Sequence, residues 1–242
     1  MNGYNIAKAS FFNDLTISKN ETLINLISEL KQYLYTEASL NKYQKFLVNK
    51  YLQMWEQIFN SFPYNGTNSL LEIYLNNPNG LKKQYQTFPY PINYMNHIQV
   101  FANFDIEYIN SQITKLPYLL YSEIEPYLDK NDTPNDIHLY NSSCLNAGDL
   151  IAVESSQRSK RFKIIDGNHR EYFIQQNNSK DFKVRVISLF NLNETKFINR
   201  FNFAIYLFYN NFGNFMYLDK KPIQQYKELK KCKHLLKKYH LL

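Results

Sequence analysis

Apolar positions between residues 20 and 62 recur at three- and four-residue steps. Leu23, Ile24, Ile27, Leu30 and Leu34 form one stripe behind Asn20, a good N-cap residue. Leu40, Tyr43, Leu47, Tyr51, Met54, Trp55, Ile58 and Phe62 form a second stripe after Ser39. This period predicts two long antiparallel helices joined by a short turn, with Pro63 and Asn65-Gly66 stopping the second. Neither stripe gathers His, Cys or carboxylates at ligand spacing, so both read as structural. Pro78, Asn79-Gly80, Pro89 and Pro91 are breakers, and they predict an irregular connection over residues 76–96.

The period then changes. Leu150-Ile151-Ala152-Val153 and Phe162-Lys163-Ile164-Ile165 are short runs of strand type around a polar stretch, which predicts two strands joined by a hairpin-like loop. Asp166-Gly167 makes a tight turn, Glu171 to Gln176 continue as helix, and Phe182, Val184, Val186 and Ile187 give another strand, a βαβ-like order. Beyond residue 191 the helical period returns, through Phe197, Ile198, Phe201, Ala204, Ile205 and Phe208. It resumes after Pro222 in Ile223, Tyr226, Leu229, Leu236 and Tyr239. The expected architecture is α+β: a helical region over 1–100, a small mixed-sheet core over 101–190, and a helical region with a basic tail over 191–242.

Composition narrows the function classes. No apolar run approaches the roughly 20 residues of a membrane helix, and the amino terminus lacks the apolar stretch of a signal peptide. With only Cys144 and Cys232, a disulfide framework or four-cysteine zinc site is excluded, and two free thiols in the cytoplasm are expected. The six glycines are too scattered for a GxGxxG or Walker-type phosphate loop. The 21 Tyr and 18 Phe are of the type that base-stacking platforms use, but scattered aromatics are ordinarily core, and AT-rich codon usage enriches the same residues. The net charge of +7 is concentrated at one end. After residue 218, eight lysines stand against Asp219 and Glu228, a net of +6. That leaves +1 for the rest of the chain.

One stretch carries chemistry. Gly167 lets the backbone turn sharply, and the residues after it open a helix whose free N–H groups converge on one spot with the positive end of the dipole behind them. Asn168, His169 and Arg170 join Gly167 as candidate phosphate ligands, and arginine suits phosphate in bidentate fashion. Asp166 is placed to accept a proton or to help hold Mg2+, and His169 is a second acid–base candidate.

The segment Phe162-Lys163-Ile164-Ile165-Asp166-Gly167-Asn168-His169-Arg170 resembles the signature of the ParB/sulfiredoxin-like superfamily, in which a strand ends in a DGxHR-type turn. Leu119-Leu120-Tyr121-Ser122-Glu123-Ile124-Glu125-Pro126 is similar to that superfamily's first strand and its exit, and the resemblance spans residues 115–189. Sulfiredoxins place a catalytic cysteine where this chain has Asn168, which argues against sulfinic-acid repair. Partition-type ParB proteins carry Gly-Glu-Arg-Arg where this chain has Gly167-Asn168-His169-Arg170, which argues against a CTP-driven clamp. The turn is closest to the DGHHR of nucleotide-dependent kinases of small molecules such as serine. The resemblance therefore implies a bound nucleotide (ATP, ADP or CTP), Mg2+, a small-molecule phosphate acceptor, and an acid after the first strand. Glu125 and Asp129 are the available acids.

Two functions follow as expectations. The first is a nucleotide-binding phosphotransferase or phosphohydrolase, in which the basic tail packs on the body through Ile223, Tyr226, Leu229, Leu236 and Tyr239. The second is a DNA-binding plasmid- or phage-type protein whose lysine tail grips nucleic acid, although no helix-turn-helix with a basic recognition helix is evident. A degenerate domain kept as an interaction scaffold is a third.

Overall fold

The computed structural model describes residues 26–32, 40–62, 87–94, 98–128, 137–156, 161–189, 191–216 and 222–242. In chain order, the elements are helix α1 (26–32), α2 (Lys42–Ser61), strands β1 (Thr87–Tyr94) and β2 (Ile98–Asp105), α3 (Ile106–Ser111), β3 (Tyr118–Leu120), α4 (Tyr121–Ile124), β4 (Leu150–Ser156), β5 (Arg161–Asp166), α5 (Asn168–Gln176), β6 (Lys183–Ile187), α6 (Arg200–Met216) and α7 (Pro222–Lys238). The protein is a mixed α and β structure, and among the described residues no helix is long and apolar enough to cross a membrane.

The chain divides into two compact units. Among the described residues, one comprises 87–90 and those from 103 to 198; the other comprises 26–32, 40–62, 91–94, 98–102 and those from 199 to 242. Helices from the two ends of the sequence thus belong to the same unit.

In the helical unit, α2 starts at a reciprocal cap. The Gln44 N–H donates to the Asn41 side chain at 2.9 Å, and the Asn41 N–H donates to the Gln44 side chain at 3.0 Å. Its buried face carries Tyr51, Trp55, Ile58 and Phe59. Trp55 and Phe59 meet α6 edge to face, with Trp55–Phe208 centroids 5.3 Å apart and Phe59–Phe208 centroids 5.7 Å apart. Tyr51, Trp55, Phe59, Phe201, Phe203, Tyr206 and Phe208 are core, whereas Tyr43 and Phe46 of α2 are exposed. Of the first predicted helix, 26–32 is observed, with Leu26, Ile27 and Leu30 buried. The Asn20 cap and the turn after it lie outside the described residues.

The other unit is built on a four-stranded sheet of order β3-β6-β4-β5. β4 and β5 form the predicted antiparallel pair, and β3 pairs antiparallel with β6. The βαβ-like order needs a correction. β6 does not lie beside β5; it runs parallel to β4, so β5 and α5 together form the connection between the parallel pair. Leu150, Ala152, Ile164 and Val184 pack with Ile174 of α5, Tyr121 and Ile124 on one face. Ile151, Val153, Ile165 and Ile187 are buried as well, so β4 is covered on both faces. Double burial explains why it reads as an unbroken apolar run rather than an alternation.

The predicted irregular connection over 76–96 is corrected over 87–94, where β1 forms and pairs with β2; its remaining positions lie outside the described residues. Pro89 and Pro91 are two residues apart, so their missing N–H groups fall on one edge of the strand. A two-stranded ribbon has an open edge of this kind, where proline is tolerated in a strand.

Candidate functional site

The turn between β5 and α5 forms as the sequence predicts. Ile151 of β4 pairs with Asp166 while Ala152 pairs with Ile164, so Ile165 is an extra residue in the ladder. Bulges of this kind re-aim the neighbouring side chain, here Asp166. Gly167 follows at φ +98°. A Cβ on it would lie 2.4 Å from Leu150 Cδ2 and 2.9 Å from both Nε and Nη2 of Arg170. Conformation and space therefore both demand glycine. The first backbone bond of α5 runs from the Glu171 N–H to the Gly167 carbonyl at 2.8 Å. The N–H groups of Asn168, His169 and Arg170 precede that ladder and form the positive end of the helix.

The side chains are disposed differently from the sequence expectation. Arg170, expected as a phosphate ligand, is 9% exposed, and its guanidinium is committed to the fold. Nη1 donates to the carbonyls of Gly148 at 2.8 Å and Asp149 at 2.9 Å, and more weakly to Ala147 at 3.4 Å; Nη2 pairs with Asp166 Oδ2 at 3.0 Å. These carbonyls lie at and just past the end of a 3₁₀ turn over Ser142–Ala147, so Arg170 acts as its C-terminal cap. The same loop is held from the other side. Asp149 accepts from Arg185 Nε at 2.6 Å, and Arg185 Nη1 donates to the Leu116 carbonyl at 3.0 Å.

Asp166, expected as base or Mg2+ ligand, is thus already paired with a cation. Among the described residues, no three or more His, Cys, Asp or Glu side chains come together at metal-binding distance. Asp166 alone does not make a magnesium site of protein groups. His169 lies nearly parallel to the Tyr140 ring, with centroids 3.8 Å apart and planes 21° apart. Glu125 is exposed at the start of a 3₁₀ turn over Glu125–Tyr127, and among the described residues no hydrogen bond or ion pair joins it to the Gly167 turn. Asp129 lies outside the described residues.

The chain matches no protein-family model, no curated protein and no solved structure.

Two features of the site escape the sequence. Tyr140 belongs to no motif; it reaches His169 because the 3₁₀ turn over Ile137–Leu139 presents it, with its N–H bonded to the Ile137 carbonyl at 3.0 Å. Behind the turn lies a polar group of three, in which Tyr121 and Glu171 are buried and Gln175 is exposed. Tyr121 Oη donates to Glu171 Oε1 at 3.2 Å, and Gln175 Nε2 donates to Tyr121 Oη at 3.0 Å and to Glu171 Oε1 at 3.4 Å. Burial, reinforced by the Glu171 carboxylate, pushes the Tyr121 hydroxyl well above the usual phenol range, so it stays a donor. The spacing of Glu171 and Gln175 already puts them on one face of α5, but nothing in sequence points to Tyr121, fifty residues upstream.

Proposed function

We infer that this protein is a nucleotide-binding enzyme of ParB/sulfiredoxin-like type, transferring a phosphoryl group to a small-molecule hydroxyl or to water. The observation that carries this reading is the β5–Gly167–α5 turn, with its left-handed glycine, its excluded Cβ and a helix ladder that opens at the Glu171 N–H. Backbone donors at a helix start suit phosphate oxygens.

In this reading the N–H groups of Asn168, His169 and Arg170 hold the phosphates. Arg170 acts as a positioning residue. Its guanidinium fixes the loop at Gly148 and Asp149 and keeps a positive charge behind the turn, while only its backbone N–H meets the phosphate. His169, its ring set by Tyr140, is the proton-transfer group nearest the phosphate position, and Asp166 orients Arg170. The planar Tyr140–His169 pair at the same corner also suits a flat ring system such as a nucleobase.

A thermal-shift panel of ATP, ADP and CTP, each with and without Mg2+, tests the proposal. A ligand that binds only the folded chain raises Tm in a saturable way. At least one nucleotide is expected to do so, with a weaker response in His169→Ala. Flat responses to all three at millimolar concentration would reject the nucleotide reading.

A further inference from the structure

Helix α7 buries Gln225, Leu229, Cys232 and Leu236. These residues repeat at steps of four, three and four, which makes one narrow stripe along the helix. The expected packing face was Ile223, Tyr226, Leu229, Leu236 and Tyr239. Its first two members instead point to solvent, Ile223 at 73% exposure and Tyr226 at 42%. At 100° per residue, the arc facing away from the buried stripe carries Lys227, Lys230, Lys231, Lys237 and Lys238, with Lys233 flanking the stripe, and all six are exposed. Glu228, the one acid of the helix, flanks the buried stripe on the other side and bonds Lys231 at 2.8 Å.

Such a face repels itself. Lys227 and Lys231, and likewise Lys233 and Lys237, are like charges one helical turn apart, an arrangement that destabilises a helix on its own. A polyanion laid along the face removes the repulsion. The lysines from 227 to 238 span about 17 Å of helix axis, at about 1.5 Å per residue. A duplex presents one phosphate charge per roughly 1.7 Å of its own axis, a comparably dense row. Tyr226 adds an exposed hydroxyl of the kind that donates to phosphates. A lipid surface fits less well, because interfacial helices turn their apolar stripe to the lipid, and α7 has most of its own buried in protein. Lysine ammoniums are point charges without the bidentate fork that reads guanine, so they position a backbone rather than identify bases.

We propose that the outward face of α7 binds the phosphate backbone of duplex nucleic acid without sequence preference. This surface is independent of the phosphate turn and of any activity there.

The test is fluorescence anisotropy of a labelled random-sequence duplex DNA with the full chain across a NaCl series. The expected Kd near 0.15 M salt is in the micromolar range, and log K should fall linearly with log salt at about −0.9 per phosphate engaged. The variant K227Q/K230Q/K237Q changes only exposed residues and should keep the wild-type Tm. Its affinity should fall at least tenfold, and its salt slope should shrink by about one for each lysine removed. The proposal is overturned by no binding at 50 mM salt, by a slope unchanged in the variant, or by equally tight binding to poly-glutamate or to phosphatidylglycerol vesicles at the same salt.

Discussion

The Arg170 guanidinium lies 3.0 Å from the Asp166 carboxylate across the Gly167 turn, and the same guanidinium caps the loop ending at Gly148. The two most chemically suggestive residues of the segment are therefore joined to each other. Replacing Arg170 with Ala would strand the Asp166 carboxylate and up to three carbonyls in a poorly hydrated place. Breaking a mostly buried pair in this way is expected to cost about 3 kcal/mol, read as a lower urea midpoint. Arg170→Lys should recover little, because one ammonium cannot span Asp166 and the loop carbonyls together. A variant as stable as the parent would show that the latch is not structural.

Gly167→Ala combines positive-φ strain with the 2.4 Å approach of its Cβ to Leu150 Cδ2. A loss of about 2 kcal/mol or more is expected, with Tm several degrees lower. Leu150 belongs to the buried core cluster, so the clash has little room to relax. Unchanged Tm would mean that the turn tolerates another conformation.

How far the fold and site were legible from sequence differs by element. Helices α2, α6 and α7 and strands β4, β5 and β6 announce themselves because their period or apolar run persists for several residues. β1 does not, since prolines read as breakers unless the strand is known to have an open edge. The buried stripe of α7 is misread because Gln225 and Cys232 take positions that residue type assigns to Leu or Ile, and steps of three through Ile223 and Tyr226 drift off that stripe. At the site, Gly167 and the helix start are local and readable. Arg170's carbonyl partners lie more than twenty residues back, in a loop with no sequence signature, so its side chain reads as a phosphate ligand.

Gln225 offers a stabilising change. It is fully buried, and neither atom of its amide has a hydrogen-bond partner among the described residues. Gln225→Met keeps the shape and removes the unsatisfied groups, and should stabilise the protein by about 1 kcal/mol. A loss of stability would show that the amide has a partner it needs.

Burial pushes the Cys232 thiol up to about 12, and the nearby Glu228 charge adds to the shift. A thiol with a raised folded pKa favours the folded state fully below its ordinary value near 9. That contribution is lost as the pH climbs from about 9 to about 12, where the unfolded chain ionises and the folded one does not. The urea midpoint should therefore fall over that interval by more in the parent than in Cys232→Ala. Parallel falls would contradict the burial of the thiol.

The central claim is that the backbone at the start of α5 holds phosphate. A 15N-labelled sample titrated with ATP, ADP and CTP reports on those amides directly. Saturable shifts centred on the N–H groups of Asn168, His169 and Arg170, and weaker ones in His169→Ala, are the expected result. No shift at these three amides at millimolar nucleotide, or shifts confined to the lysines of α7, would contradict it.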